Sequence, residues 1–213
     1  MIPLRDSTPS RSFPLVTVLL IIFNLFIFYQ EVLMGASLEG FINAYGLVPA
    51  HFQTFNLFSS MFMHGGWMHV IGNMWVLWLF GDNVEDRMGH GKFLIFYLLM
   101  GCIAGTTHYL VNPASITPVV GASGAVAGIM GAYFIMFRQA RVFTYIPPIF
   151  LVTIPAWVYL GFWALSQVYG GATNLVGANS SNIAFWAHIG GFVAGMILYR
   201  LFLNPDYEEV GND

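Results

Sequence analysis

Long apolar stretches separated by short polar connections constrain this chain more than any other feature of its sequence. A helix needs about 20 mainly apolar residues to cross the hydrocarbon layer of a membrane. Charge, glycine and proline divide the chain into six stretches of roughly that length, at residues 14–32, 64–80, 92–110, 121–137, 147–169 and 183–202. Hydrophobic residues make up 57% of the chain and charged residues 8%, which is unlike a soluble domain. We therefore expect an integral membrane protein.

The pattern within these stretches predicts helices. Inside hydrocarbon, every backbone amide must be hydrogen-bonded within its own helix or within a closed barrel. The stretches lack the regular alternation of apolar and polar residues that a membrane barrel shows. The predicted fold class is all-α, a bundle of six transmembrane helices. We expect a single domain over residues 1–213, with a short N-terminal segment 1–13, six spans within 14–202 and a short tail 203–213.

The basic residues predict which side of the membrane each connection faces, because lysine and arginine collect in cytoplasmic loops. All seven lie in segments that share one side of the six-span arrangement: Arg5, Arg11, Arg87, Lys92, Arg138, Arg141 and Arg200. Both termini are therefore expected in the cytoplasm. The first apolar run is expected to be a retained span, not a cleaved signal peptide. This pattern favours a prokaryotic plasma (inner) membrane. The formal net charge of -3 says little about partners, and without a basic patch or run we expect no nucleic acid among them.

Polar groups inside a membrane are costly and indicate function, and four polar side chains in the predicted spans stand out. Ser123 begins span four, His188 lies in span six, and His69 and Asn73 lie in span two. These three spans run in the same direction, and a helix rises about 1.5 Å per residue. Their positions therefore place all four side chains in the outer half of the membrane.

Small residues predict which of these spans are neighbours. Glycines four residues apart let helix backbones approach closely in lipid. Spans four and six contain such pairs, namely Gly124 with Gly128 and Gly191 with Gly195. Because His188 shares a helix face with the glycines of span six, this packing is expected to bring it toward Ser123.

A serine and a histidine at this distance predict nucleophilic catalysis. A hydroxyl becomes an effective nucleophile when an imidazole takes its proton. The oxyanion that follows needs preorganised hydrogen-bond donors. The candidates are the amide of Asn73, the imidazole N–H of His69 and the backbone N–H of Ser123.

The third member of such a site is usually a carboxylate that orients the base. Among the acidic residues, only Glu31 and Glu39 are expected on the outer side, in or beside the first outer connection. We therefore predict a dyad of Ser123 and His188, in which packing alone orients the histidine.

Three motifs together resemble the rhomboid intramembrane serine proteases. They are His69 with Asn73, Gly121 with Ser123 and Gly124, and Ala187 with His188, Gly191 and Gly195. The resemblance implies a serine endopeptidase that acts in or near transmembrane segments of membrane proteins, with Ser123 as nucleophile and His188 as base. Rhomboids often have an aromatic residue one turn after the serine, where this chain has Ala127. An aromatic side chain from a neighbouring helix is expected to support the histidine instead.

Other classes of function fit the sequence less well. A catalytically inactive rhomboid-like adaptor, which binds transmembrane segments without cutting them, would be expected to lose Ser123 or His188. A transporter would be expected to show inverted repeats or charged residues along a path. The outer histidines are irregularly spaced, without a His-Glu-x-x-His motif, so we expect neither a metal nor a cofactor.

Access to a site below the membrane surface requires an opening. The uncharged connection at residues 170–182 is one candidate, since Gly170, Gly171 and Gly177 are expected to make it pliable. The wall formed by span five is the other. The sequence does not decide between these two candidate routes of access.

Overall fold

Eight helices and three strands make up the part of the chain that the structure, a computed structural model, describes: residues 1–177 and 183–205. The helices are α1 (Leu15–Leu33), α2 (Leu38–Tyr45), α3 (Asn56–Ser59), α4 (Trp67–Met88), α5 (His90–Val111), α6 (Ser123–Met136), α7 (Ala156–Leu175) and α8 (Phe185–Leu198). The strands are β1 (Ile2–Asp6), β2 (Arg141–Ile146) and β3 (Phe150–Pro155). Short 3₁₀ turns lie at Gly35–Ser37, Pro49–His51, Ser60–Phe62 and Tyr199–Phe202.

The apolar runs of the sequence form the long helices. Within the described residues, α1, α5 and the stretch Phe185–Phe202 are long and apolar enough to cross a membrane, and α6 is a shorter apolar helix. The starts and ends of α1, α5 and α6 lie within two residues of the predicted spans. These helices are those of an integral membrane protein.

The prediction of an all-helical chain is wrong, because the chain also forms a three-stranded antiparallel sheet in the order β1-β2-β3. The predicted fifth span, 147–169, is consequently wrong at its start, because its first nine residues belong to the hairpin of β2 and β3. This stretch is apolar but rich in β-branched residues, which fit a strand as well as a span. Pro155 then sets the start of α7, since proline is compatible only with the beginning of a helix.

The N-terminal segment runs alongside α4, parallel to it. Ser12 donates its backbone N–H to Asp86 (2.9 Å), and Ser10 donates its hydroxyl to Asp82 (2.6 Å). Further along α4, the indole of Trp75 donates to the carbonyl of Pro3 (2.6 Å). Strand β1 therefore lies beside α4 and not beyond its end.

The acidic residues that follow the predicted second span are part of α4, which continues to Met88 instead of ending at residue 80. Glu85 is buried, and its carboxylate accepts the backbone N–H groups of Val16 (2.8 Å) and Thr17 (2.7 Å). These N–H groups are in the first turn of α1, where a helix has donors without internal partners and favours negative charge. Helix α4 can therefore extend beyond residue 80, because the buried carboxylate in this extension has hydrogen-bond partners.

Helix α6 is the centre of the bundle. Every residue from Gly124 to Tyr133 is buried, so the helix has no face left for lipid. It packs against α4, α5, α7 and α8. A helix that is apolar and small-sided all round can be surrounded in this way, because its neighbours approach its backbone from every side.

The closest of these contacts joins α6 to α8 through glycines. A Cβ atom at Gly191 would lie 2.1 Å from the carbonyl oxygen of Gly124, and one at Gly195 would lie 1.9 Å from that of Gly128. Real Cβ atoms do not come this close to backbone atoms, so larger residues would push the helices apart. The glycines set the distance between α6 and α8.

The predicted pliable connection at residues 170–182 is partly helix. Gly170 and Gly171 are buried within α7, and both pack against Phe185 at the start of α8. They are therefore held in place, which contradicts the expectation that they loosen a loop. Gly177 follows the helix with a φ of +70°. Residues 178–182 of that connection lie outside the described residues.

A single methyl group on the contact between α6 and α8 should destabilise the protein. We expect Gly195→Ala to lower the free energy of unfolding by about 1–3 kcal/mol, the usual cost of overpacking a tight interface. Gly72→Ala is the matched control, because a Cβ at that helical position would meet nothing within 4 Å. Thermal unfolding in detergent should show a lower midpoint for Gly195→Ala alone. Equal midpoints for the two variants would contradict the assigned contact.

Candidate active site

The turn before α6 positions Ser123. Gly121 has a φ of +127°, a backbone conformation that favours glycine, and its N–H donates to the carbonyl of Ser60 (2.8 Å). A Cβ at Gly121 would lie 2.7 Å from ring atoms of His69, so the position also lacks space for a side chain. Ser123 then begins α6, where its backbone N–H has no acceptor within the helix.

Ser123 and His188 lie within hydrogen-bonding distance, although 65 residues separate them in the sequence. The Oγ atom of Ser123 is 2.8 Å from Nε2 of His188. The hydroxyl is at the first residue of α6 and the imidazole is in the first turn of α8. The glycine contact between these helices brings the two side chains together. Such an arrangement suits proton transfer from a hydroxyl to an imidazole.

The other side of the His188 ring contacts α7. Its Nδ1 atom is 2.8 Å from Oε1 of Gln167, and the Trp163 ring packs on it at a centroid distance of 5.9 Å. The expectation that packing alone orients His188 is therefore wrong. Trp163 is the aromatic neighbour that the absence of an aromatic residue at Ala127 led us to expect.

Sequence reasoning missed Gln167, although a signal was present. Gln167 is an uncharged polar residue within the predicted fifth span, and polar groups in spans indicate function. It lies four residues after Trp163, which places both on one face of a helix. Its side chain is an amide, whereas the third member of such a site is usually a carboxylate.

Asn73 and His69 face the same place from α4. Asn73 is buried, and its Nδ2 donor has no hydrogen-bond partner. The Nδ1 atom of His69 accepts the backbone N–H of Gly65 at 3.4 Å, which leaves the ring proton on Nε2. That nitrogen lies against Gly121, two residues before Ser123.

A cavity of about 570 Å³ connects the four predicted residues. Its lining includes His69, Asn73, Ser123 and His188, together with the extended segment before α6, 118–120. This volume is within the range of pockets that bind small-molecule ligands. Among the described residues, no group of three or more His, Cys, Asp or Glu side chains is arranged to hold a metal ion.

Two backbone contacts hold the segment that borders this cavity. Val119 and Leu47 exchange hydrogen bonds as an isolated antiparallel pair, at 2.8 and 3.0 Å. The long connection after α1 therefore supports the backbone beside Ser123. Asn56 reinforces that connection by donating its amide to the carbonyl of Gly46 (2.8 Å).

Comparison with known proteins identifies relatives of this chain. It is 28% identical to "Rhomboid protein 1, mitochondrial" of Saccharomyces cerevisiae over 176 residues, which cover 79% of the chain and 48% of that protein. It is 29% identical to "RHOMBOID-like protein 1" of Arabidopsis thaliana, over 73% of the chain and 36% of the relative. It is also 29% identical to "Rhomboid protease GluP" of Bacillus subtilis, over 67% of the chain and 25% of the relative.

The matched region thus spans from a quarter to about half of the length of these relatives. Within this chain, the family model described as the rhomboid domain matches residues 51–205. This region contains α4 to α8 and all four residues that line the cavity from helices. The match covers well over half of the sequence, and the chain therefore belongs to the rhomboid family.

Proposed function

We propose that this chain is an intramembrane serine protease that hydrolyses peptide bonds in or near transmembrane segments of membrane proteins. The distance of 2.8 Å between Ser123 Oγ and His188 Nε2 is the observation that carries the proposal. The bonded pair faces a cavity at one end of a bundle of apolar helices. A relative of the chain bears the name of a protease, and the family therefore includes such enzymes.

The reaction begins with proton transfer from the Ser123 hydroxyl to Nε2 of His188. The serine oxygen attacks the carbonyl carbon of the substrate, and the carbonyl oxygen becomes an oxyanion. When this intermediate collapses, the peptide C–N bond breaks and His188 donates its proton to the leaving amine. Water then hydrolyses the acyl-enzyme, with His188 again as the base. Both products leave and the hydroxyl of Ser123 is restored.

Three donors stabilise the oxyanion in this proposal. The unpartnered Nδ2 of buried Asn73 supports its inclusion, because buried donors are nearly always hydrogen-bonded unless a ligand uses them. The proton on Nε2 of His69 and the backbone N–H of Ser123 complete the set. Donors fixed in place before the reaction stabilise the charge without reorganising, which is the main source of their effect.

The proposed topology has six spans within one domain and both termini in the cytoplasm. Six of the described helices have 14 or more residues, which supports the span count. The basic residues Arg87, Lys92 and Arg200 meet at the end opposite Ser123, where Lys92 donates to the carbonyl of Leu203 and Asn204 donates to that of Arg87. The active site then faces the outer side of the membrane, where the lipid bilayer delivers transmembrane substrates to it.

The kind of membrane is left open by this proposal. The relatives include a mitochondrial protein and a Bacillus protein, so they do not support a prokaryotic plasma membrane in particular. An inactive adaptor in the same membrane is the alternative to a protease. Chemistry at Ser123 distinguishes the two.

A fluorophosphonate should label the wild-type chain covalently at Ser123. Ser123→Ala and His188→Ala should abolish both labelling and cleavage of a single-span substrate, because the first lacks the nucleophile and the second its base. Ser37→Ala, an exposed serine on the connection after α1, is the control and should be labelled normally. Gel fluorescence and peptide mass spectrometry would measure this. Undiminished labelling of Ser123→Ala would exclude the proposed nucleophile, and an unlabelled wild type would favour the adaptor.

Asn73→Ala should lower kcat by roughly 10- to 1,000-fold, as removal of one of several oxyanion donors does. KM should change little, because the donor acts mainly on the intermediate. Asn43→Ala, an exposed asparagine on α2, is the matched control. Steady-state cleavage of a single-span substrate would report both constants. An unchanged kcat would assign Asn73 a structural role.

Site-directed labelling tests the proposed topology in a Cys102→Ser background. Ile116→Cys lies in the exposed connection between α5 and α6, and Gln139→Cys lies in an exposed position after α6. An impermeant maleimide added to intact spheroplasts should label the cysteine at 116 and not that at 139. Both should react after permeabilisation. Labelling of position 139 in intact spheroplasts would contradict the proposed orientation.

A further inference from the structure

The side chain of Gln167 completes a chain of hydrogen bonds to the nucleophile. Its Oε1 atom lies 2.8 Å from Nδ1 of His188, and Nε2 of that ring lies 2.8 Å from Oγ of Ser123. Gln167 comes from α7, His188 from α8 and Ser123 from α6. Three helices therefore contribute one group each, in the order in which a catalytic triad is arranged.

Hydrogen bonds on α7 fix which end of the Gln167 amide faces the histidine. The Nε2 group donates to Oγ of Ser166 (3.0 Å) and to the backbone carbonyl of Trp163 (3.4 Å). The Ser166 hydroxyl donates its own proton to the same carbonyl (2.5 Å), which leaves its oxygen to accept. A flipped amide would place Oε1 against the Trp163 carbonyl, where two acceptors repel. The oxygen of Gln167 is consequently directed at His188.

This orientation determines the tautomer of His188. An amide oxygen only accepts, so Nδ1 of the imidazole must carry the proton that bonds to Gln167. The neutral ring then has a lone pair on Nε2, which is the atom that faces Ser123. The base is therefore held in the protonation state that can accept the hydroxyl proton. The opposite tautomer would present a donor to Ser123 and could not act as its base.

The Trp163 ring packs against one side of the His188 imidazole. Its ring lies 5.9 Å from that of His188 with an interplanar angle of 35°, and it also contacts Phe192 of α8 at 5.7 Å. Trp163 and Gln167 are one turn apart on α7, so one helix face both covers the imidazole and binds its Nδ1. Stacking restrains the tilt of the ring, while the hydrogen bond restrains its rotation.

We propose that Gln167 is the positioning residue of the active site and takes the place that a carboxylate has in a soluble serine protease. This inference rests on the proposed function of Ser123 and His188. A neutral amide suits this position, because an ionised carboxylate within a membrane-spanning helix is costly to bury. Gln167 holds the tautomer and direction of His188, and its oxygen stays bonded to Nδ1–H while the ring is protonated during the reaction.

Substitution of Gln167 should separate turnover from substrate binding. Gln167→Leu has a similar volume and no acceptor. We expect its kcat to fall about 10- to 100-fold, the range found for hydrogen bonds that orient metal-binding histidines, with KM unchanged. Gln167→Glu returns an acceptor oxygen to the same place and should recover turnover relative to Gln167→Leu. Leu165→Ala is the control on α7, since this side chain is 70% exposed and points away from the site.

Nitrogen-15 spectroscopy of His188 in the resting protein supplies a readout that does not depend on turnover. Nδ1 of the wild type should give the signal of a protonated nitrogen and Nε2 that of an unprotonated one. Gln167→Leu should give a mixture of both tautomers. An unchanged tautomer and an unchanged kcat in Gln167→Leu would overturn the proposal, as would a Gln167→Glu variant no faster than Gln167→Leu. Failure of the fluorophosphonate to label the wild type would instead remove the proposed function and leave the tautomer result standing.

Discussion

The contact between the backbones of α6 and α8 is the interaction on which the site depends. In lipid, apolar side chains gain little by leaving their surroundings, so helix association relies on close packing and on hydrogen bonds between helices. Gly124 and Gly128 on α6 meet Gly191 and Gly195 on α8, without space for a Cβ between them. This approach brings the first residue of α6 within 2.8 Å of a ring in the first turn of α8. The glycine contacts between α6 and α8, and not the reacting residues alone, therefore set the distance that proton transfer requires.

Polar groups around the site are matched with neutral partners. Ser123, His188 and Gln167 form a continuous chain of hydrogen bonds in which none of the side chains needs a permanent charge. The buried carboxylate of Glu85 lies away from these three side chains, where it binds the first turn of α1. This division follows from the cost of burying charge in a low-dielectric interior. Nδ2 of Asn73, a buried donor without a hydrogen-bond partner, is one of the groups that the proposed reaction uses.

Much of the arrangement could be predicted from the sequence. Apolar runs located the long helices, and the prediction of a rhomboid-type membrane protein is confirmed by the family match. The hairpin of β2 and β3 could not be predicted, because its apolar and β-branched residues have the hydropathy of a span. The path of the N-terminal segment along α4 depends on individual hydrogen bonds, such as that of Trp75 to Pro3. The periodicity of the sequence does not predict such bonds. Gln167 was visible as a polar residue in a span, but its role depends on the rotation of α7 toward α8, which only the packed structure defines.

A structure of the fluorophosphonate adduct would test the central claim most directly, since the phosphoryl oxygen stands in for the oxyanion of the peptide reaction. The account predicts a covalent bond from phosphorus to Oγ of Ser123. It also predicts that the phosphoryl oxygen lies within hydrogen-bonding distance of Nδ2 of Asn73, Nε2 of His69 and the backbone N–H of Ser123. An adduct on another residue, or a phosphoryl oxygen directed away from all three donors, would contradict the account.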